Sequence, residues 1–393
     1  MRKILPKCIL VFILLFITVI AMQPKIWIAK SETPIAEKGL EETIQEQLGE
    51  LDLEDLETYI QSLDEFNQQP LAQRLLAYIK GGEIDYESFG NSLIRVVFAK
   101  ITELLPAFAC ILAITLLSGM LSTMHSSAAG QTSLDMMFII TYAAVLIPLL
   151  SIIIEVFSSC LAGVRSMQKQ MQLLYPLMLT LLSVSGGTIS ASVCQPAVAF
   201  FSSTIVSAME SIVFPLTITI ILFSMASKLT KELKVGKFTA FFKSMNKWII
   251  GICVSAFGIF FTLQGITAAT YDGVVRRTAK YAISNGVPIV GGFLSGGFDL
   301  AVAGGILIKN SLGTMGIFLL IAVLFEPIVL LISVNLLLRL TSAITQPFGE
   351  GRIADFLGDT AENLQYCGAG LLFTAFLYFL SIMIMIFSTE ALL

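Results

Sequence analysis

Apolar runs about as long as a bilayer is thick recur along this chain, and no other feature narrows its fold so far. Roughly 20 helical residues cross the hydrocarbon of a bilayer, and there only helices or closed barrels satisfy every backbone group. Six runs have that length: 96–124, 137–160, 197–226, 247–270, 313–338 and 367–388. Two more, 173–195 and 286–308, are apolar but rich in Gly, Ser and Pro. Charged residues make up only 13% of the 393, about half the share of a soluble domain. The expected fold class is all-α: a polytopic membrane helical bundle of six to eight spans.

The first thirty residues read as a signal peptide or a signal anchor. Arg2, Lys3 and Lys7 precede an apolar run from Cys8 to Ala21, and Ala29 suits a cleavage site. Residues 31–95 are then extracytoplasmic. Between 31 and 92 the chain carries fifteen acids against Lys38, Arg74 and Lys80. Leu40, Ile44, Leu48 and Leu51 recur at helical spacing, Pro70 ends that pattern, and Leu71, Leu75 and Ile79 start another. So short a piece buries little core alone. It is expected to be a small helical segment resting on the membrane domain, residues 96–393, or on a partner.

Six lysines between Lys228 and Lys247 place that loop in the cytoplasm by the positive-inside rule. If every apolar run crossed fully, the loop would fall outside. Treating 173–195 and 286–308 as re-entrant or broken half-spans removes the conflict, and eight full spans remain the rival arrangement. An offset of 112 residues aligns Arg165 with Arg277, Pro176 with Pro288, Ser183 with Ser295 and Pro215 with Pro327. That suggests an internal repeat, about 137–228 and 249–340. Transporter folds built on repeats put broken helices at matching positions. Gly186, Gly187, Gly291, Gly292, Gly296 and Gly297 are the expected hinges, since paired glycines weaken a helix by about 1 kcal/mol each relative to Ala.

Ionisable residues inside membrane segments are costly and are candidates for function. Glu210, Asp299, Lys309 and Glu326 form a candidate polar path. Their structural alternative is ion pairing, for instance Glu326 with Lys309 or Arg339, or a carboxyl held protonated by burial. Arg276, Arg277 and Lys280 lie at helical spacing and are expected to contact lipid headgroups or an acidic partner. No Walker loop, GxSxG, HExxH or dinucleotide fingerprint occurs. An enzyme is not expected, nor is a cofactor. His125 is the lone histidine and the six cysteines form no CxxC, which disfavours a metal site. No basic domain points to nucleic acid.

Several stretches resemble the stage III sporulation protein AE family. They are Gln264-Gly265, Asp272-Gly273, Arg277-Thr278-Ala279-Lys280, Pro288, Asp299 and Lys309-Asn310, with SVSGGTISASV at 183–193 and Gln346-Pro347-Phe348-Gly349. The resemblance covers the chain from about residue 96 onward. It implies a permease-like subunit in the mother-cell membrane around the forespore of an endospore-forming bacterium. It further implies a secretion-like channel complex with a cytoplasmic ATPase and ring-forming proteins, needed for endospore formation. It supplies no catalytic or substrate residues. A non-conducting assembly scaffold and a self-sufficient secondary transporter are the competing readings.

Overall fold

The computed structural model describes residues 86–125, 131–184, 203–229, 235–260, 291–348 and 351–390. They form six helices, with no strand among the described residues. These are α1 (Tyr86–His125), α2 (Gln131–Val184), α3 (Ser203–Leu229), α4 (236–260), α5 (Gly291–Phe348) and α6 (Gly351–Glu390). Five of them, all but α4, are long and apolar enough to cross a membrane. Most of the acidic 31–95 segment and the signal lie outside the described residues. So do Gly186, Gly187, Arg276, Arg277 and Lys280.

Contacts between helices define two ends. At the proximal end, Thr115 of α1 meets Thr345 of α5 at 3.3 Å, and Thr141 of α2 donates to Ser118 of α1 at 2.8 Å. Tyr142 donates to the Met225 carbonyl of α3, and its ring lies 5.3 Å from Phe356 of α6. At the distal end, Lys309 of α5 reaches the Ile386 carbonyl of α6. The helices therefore alternate in direction along the chain: α1 descends to the proximal end, α2 climbs, α3 descends, α4 climbs, α5 descends and α6 climbs.

The sequence expectation of separate elements at 137–160 and 173–195 is corrected here. Residues 137–184 belong to one helix. The polar residues between Arg165 and Gln172 suggested a break, but Val164, Met167, Met171, Leu174 and Met178 are buried at helical intervals straight through it. The 286–308 stretch is likewise no separate half-span from Gly291 onward, because α5 continues unbroken to Phe348. Its glycine pairs are carried within that one helix, in which each turn's backbone groups bond to the next. The turn expected at Pro347 and Gly349-Glu350-Gly351 does separate α5 from α6, although its flanks continue as those helices instead of lying along the surface.

α6 is the axis of the bundle. Between Gly351 and Ile386, its exposed described residues are Gly351, Asp355 and Glu362, all near the proximal end. α2, α3 and α5 all pack against it. Without a hydrophobic drive between helices in lipid, close approach of backbones carries much of the association. Gly163 of α2 provides it at mid-height: a Cβ there would stand 3.1 Å from the Pro327 ring and 3.2 Å from Leu371.

α3 contains a π turn over Met209–Val213, where the Phe214 N–H bonds back to the Met209 carbonyl. Pro215 is the cause. It has no N–H to offer, and its ring would strike the Ser211 carbonyl in a regular α-helix. Widening the preceding turn relieves the clash.

Candidate functional site

Around the distal half of α6, three helices bring polar side chains into an otherwise hydrocarbon interior. α2 supplies Gln170, fully buried, whose Nε2 donates to the Leu319 carbonyl of α5 at 3.3 Å. One and a half turns on, α2 supplies Tyr175, whose ring lies 6.4 Å from that of Tyr378 on α6. Gly316 of α5 leaves room for this pair: a Cβ there would stand 3.4 Å from the Tyr378 hydroxyl and 2.9 Å from Leu174. α5 then supplies Lys309, fully buried, whose Nζ donates to the Ile386 carbonyl at 3.1 Å. From Leu319 to Lys309 is ten residues of α5, so the polar column is about 15 Å long.

Lys309 is the costliest member. A buried ammonium needs hydrogen-bond acceptors to offset its lost hydration, and even then several kcal/mol remain. The Ile386 carbonyl lies close to the C-terminal end of α6, where the helix dipole is negative. That end suits a cation.

Two buried amides lie nearer the proximal end. Asn246 of α4 donates to Thr217 of α3 at 2.9 Å, while its Oδ1 has no protein partner among the described residues. Asn363 of α6 is fully buried with neither amide atom bonded to protein there. Such a group is expected to be hydrated or to carry a role.

Of the residues proposed for a polar path, Glu210 and Glu326 are not brought to Lys309, and the side chain of Asp299 lies outside the described residues. Lys309 is in the core. Glu210 sits in the π turn of α3 and accepts from Arg165 of α2, with Nε at 2.8 Å and one terminal nitrogen on the same oxygen. Glu326 is exposed beside Pro327. Arg339 gives its Nε to Asn335 on its own helix. Asp299 lies in the first turns of α5, and its side chain is outside the described residues. Gly291, Gly292, Gly296 and Gly297 occupy the same turns, in helical conformation. Gln170, Tyr175, Tyr378 and Asn363 escaped the sequence reading because each is a single polar residue in an apolar helix. Only the burial of their neighbours at helical spacing could have flagged them.

The family model described as stage III sporulation protein AE matches residues 72–389, through all six helices. The chain belongs to the stage III sporulation protein AE family. It is 24% identical over 313 residues to the stage III sporulation protein AE of Bacillus subtilis (strain 168), covering 79% of this chain and 78% of that one. No solved structure matches. As a member of this family the chain is a multi-pass membrane protein of sporulation. The polar column on α2, α5 and α6 lies wholly within the matched residues.

Proposed function

We propose that this chain is the permease-like subunit of a channel complex joining the mother cell to the forespore. It sits in the membrane around the forespore and works with a cytoplasmic ATPase and ring-forming proteins, without chemistry of its own. The observation that supports the reading is the buried column ending at Lys309. A bundle that only needed to hold together would be better served by apolar packing there, since replacing buried charge with hydrocarbon is often neutral or stabilising. A charge kept buried at such a cost is a candidate for a solute path. The lysine-rich connection between α3 and α4 supports a cytoplasmic proximal end.

The scaffold reading has one observation in its favour. Lys309 and Gln170 both bond to backbone carbonyls of a neighbouring helix, as interhelical fasteners do. The test is Lys309→Met and Gln170→Leu in sporulating cells, scored for heat-resistant spores and for recovery of the complex by affinity capture. A path requires spore yield to fall with recovery unchanged. Normal spore yield removes the column from the mechanism, and loss of both readouts makes it a fastener.

A further inference from the structure

The exposed face of α2 changes character part-way along. From the proximal end its outward large side chains are Met136, Ile139, Ile140, Ile147 and Ile154. Beyond Ile154 the exposed positions are Glu155, Ser158 and Ala162, and then come Arg165, Lys169, Gln172, Pro176 and Thr180. No large apolar side chain is exposed on α2 beyond Ile154 among the described residues. A helix surface written in Ile and Met faces hydrocarbon, whereas one written in Arg, Gln and Thr faces water or headgroups.

α5 and α3 mark the same height. On α5 the exposed apolar residues are Ile332, Leu336 and Leu340, and from Gly304 to Phe325 no residue is exposed. Glu326 is the first exposed residue, and its neighbour Pro327 packs beside Gly163, two residues from Arg165. On α3 the exposed apolar band runs from Ile212 to Leu229, bounded by the Glu210 carboxylate that holds Arg165. From Met136 to Ile154 is about 27 Å of helix, and from Ile212 to Leu229 about 26 Å. Either matches the roughly 30 Å of a bilayer core. The apolar part of α2, Met136–Leu181, is 46 residues long, or about 69 Å, more than twice what a membrane can cover.

We infer that the hydrocarbon ends on α2 between Ile154 and Arg165, and that the lipid headgroups of that leaflet lie against the Arg165–Glu210 pair and Glu326. The Lys100–Glu155 pair, 3.1 Å apart, marks the inner edge of this boundary, where long side chains reach outward. Past it, the rest of α2, the first half of α5 and the last turns of α6 project from the membrane on the side away from the lysine-rich connection. The Gln170–Lys309 column then lies inside this projection, beyond the hydrocarbon and not at the bilayer centre. The placement stands whether or not solute moves through the protein.

Depth measurement by spin labelling tests it. With all cysteines but the buried Cys160 and Cys367 replaced by alanine, single cysteines are introduced as Ile140→Cys, Ile147→Cys, Ile154→Cys, Gln172→Cys and Thr180→Cys. Each is labelled in the full chain, reconstituted into phosphatidylglycerol–phosphatidylethanolamine vesicles. Collisions with oxygen should dominate over those with a water-soluble nickel chelate at the three isoleucine positions, and the balance should reverse sign at positions 172 and 180. Oxygen dominance at 172 and 180 overturns the placement, because hydrocarbon would then continue past Arg165. Protection from both reagents overturns it as well, since protein would then cover that face.

Discussion

The two ends of the bundle hold lysines in opposite ways. At the proximal end, Lys228 of α3 lies 3.4 Å from Asp359 and 3.5 Å from Asp355, and Lys243 of α4 lies 3.9 Å from Glu362. All three acids are on α6 and remain in contact with solvent. At the distal end, Lys309 is enclosed and leans on a backbone carbonyl. The proximal lysines are partly covered, but their acid partners stay exposed to solvent, so these pairs add little to stability and can be lost cheaply. Lys309 has given up its hydration and must be stabilised by the protein alone. Where the same side chain is cheap at one end and expensive at the other, the expensive copy is the one to examine for function.

The contrast needs a rigid waist between the ends, and breaking that waist should have the largest effect. Gly163→Val would push methyl groups into the Pro327 ring, which cannot rotate away. A loss of about 3 kcal/mol is expected, at the upper end for overpacking, read as a lower thermal unfolding midpoint of the purified protein in detergent. A smaller change of opposite sign is expected at the distal end. Lys309→Met should leave the protein as stable or up to about 2 kcal/mol more stable, because a buried charge is replaced by matched hydrocarbon. A large loss in the same melting assay would erase the contrast and make Lys309 a structural fastener. Least of all, Lys228→Ala should cost about 0.5 kcal/mol, and the difference from the parent should shrink further in 1 M salt as screening removes the pair. A salt-insensitive loss of several kcal/mol there would show that the proximal pairs are not the surface contacts they resemble.

Much of the architecture was legible in the sequence because membrane length and hydropathy are coupled so tightly. The runs at 96–124, 137–160, 197–226 and 313–338 all lie mostly or wholly within helices of the structure, and 367–388 falls inside α6. Continuity was harder to see. Arg165, Lys169 and Gln172 lie between two apolar runs of the sequence, yet they occupy one face of α2 while Met167 and Met171 stay buried on the other. Composition averages over both faces and so hides the helix. The same cause concealed the sharing of one helix by 137–160 and 173–184, which is why the lysines expected in the cytoplasm conflicted with a count of full spans. Once α2 is a single climbing helix, alternation of α1 to α6 places the α3–α4 connection at the proximal end, with no re-entrant element needed among the described residues.

The candidate site was legible in one residue of four. Lys309 was visible because a lysine in an apolar run is rare whatever surrounds it. The pairing of Glu210 with Arg165 was not, since 45 residues separate them and nothing local to either specifies the other. Pairs of that kind belong to the packing of helices and become visible only once the helices are assembled.

The widened turn at Met209–Val213 leaves a mark on α3 that outlasts its local cause. A surplus residue in one coil of a helix rotates everything upstream by about a hundred degrees relative to everything downstream. The two sections of α3 therefore address different neighbours, and Glu210 stands at the seam between them. Excising a single residue from that coil would leave the hydropathy of α3 almost untouched, yet it would swing residues 203–208 toward a new bearing relative to the rest of the helix.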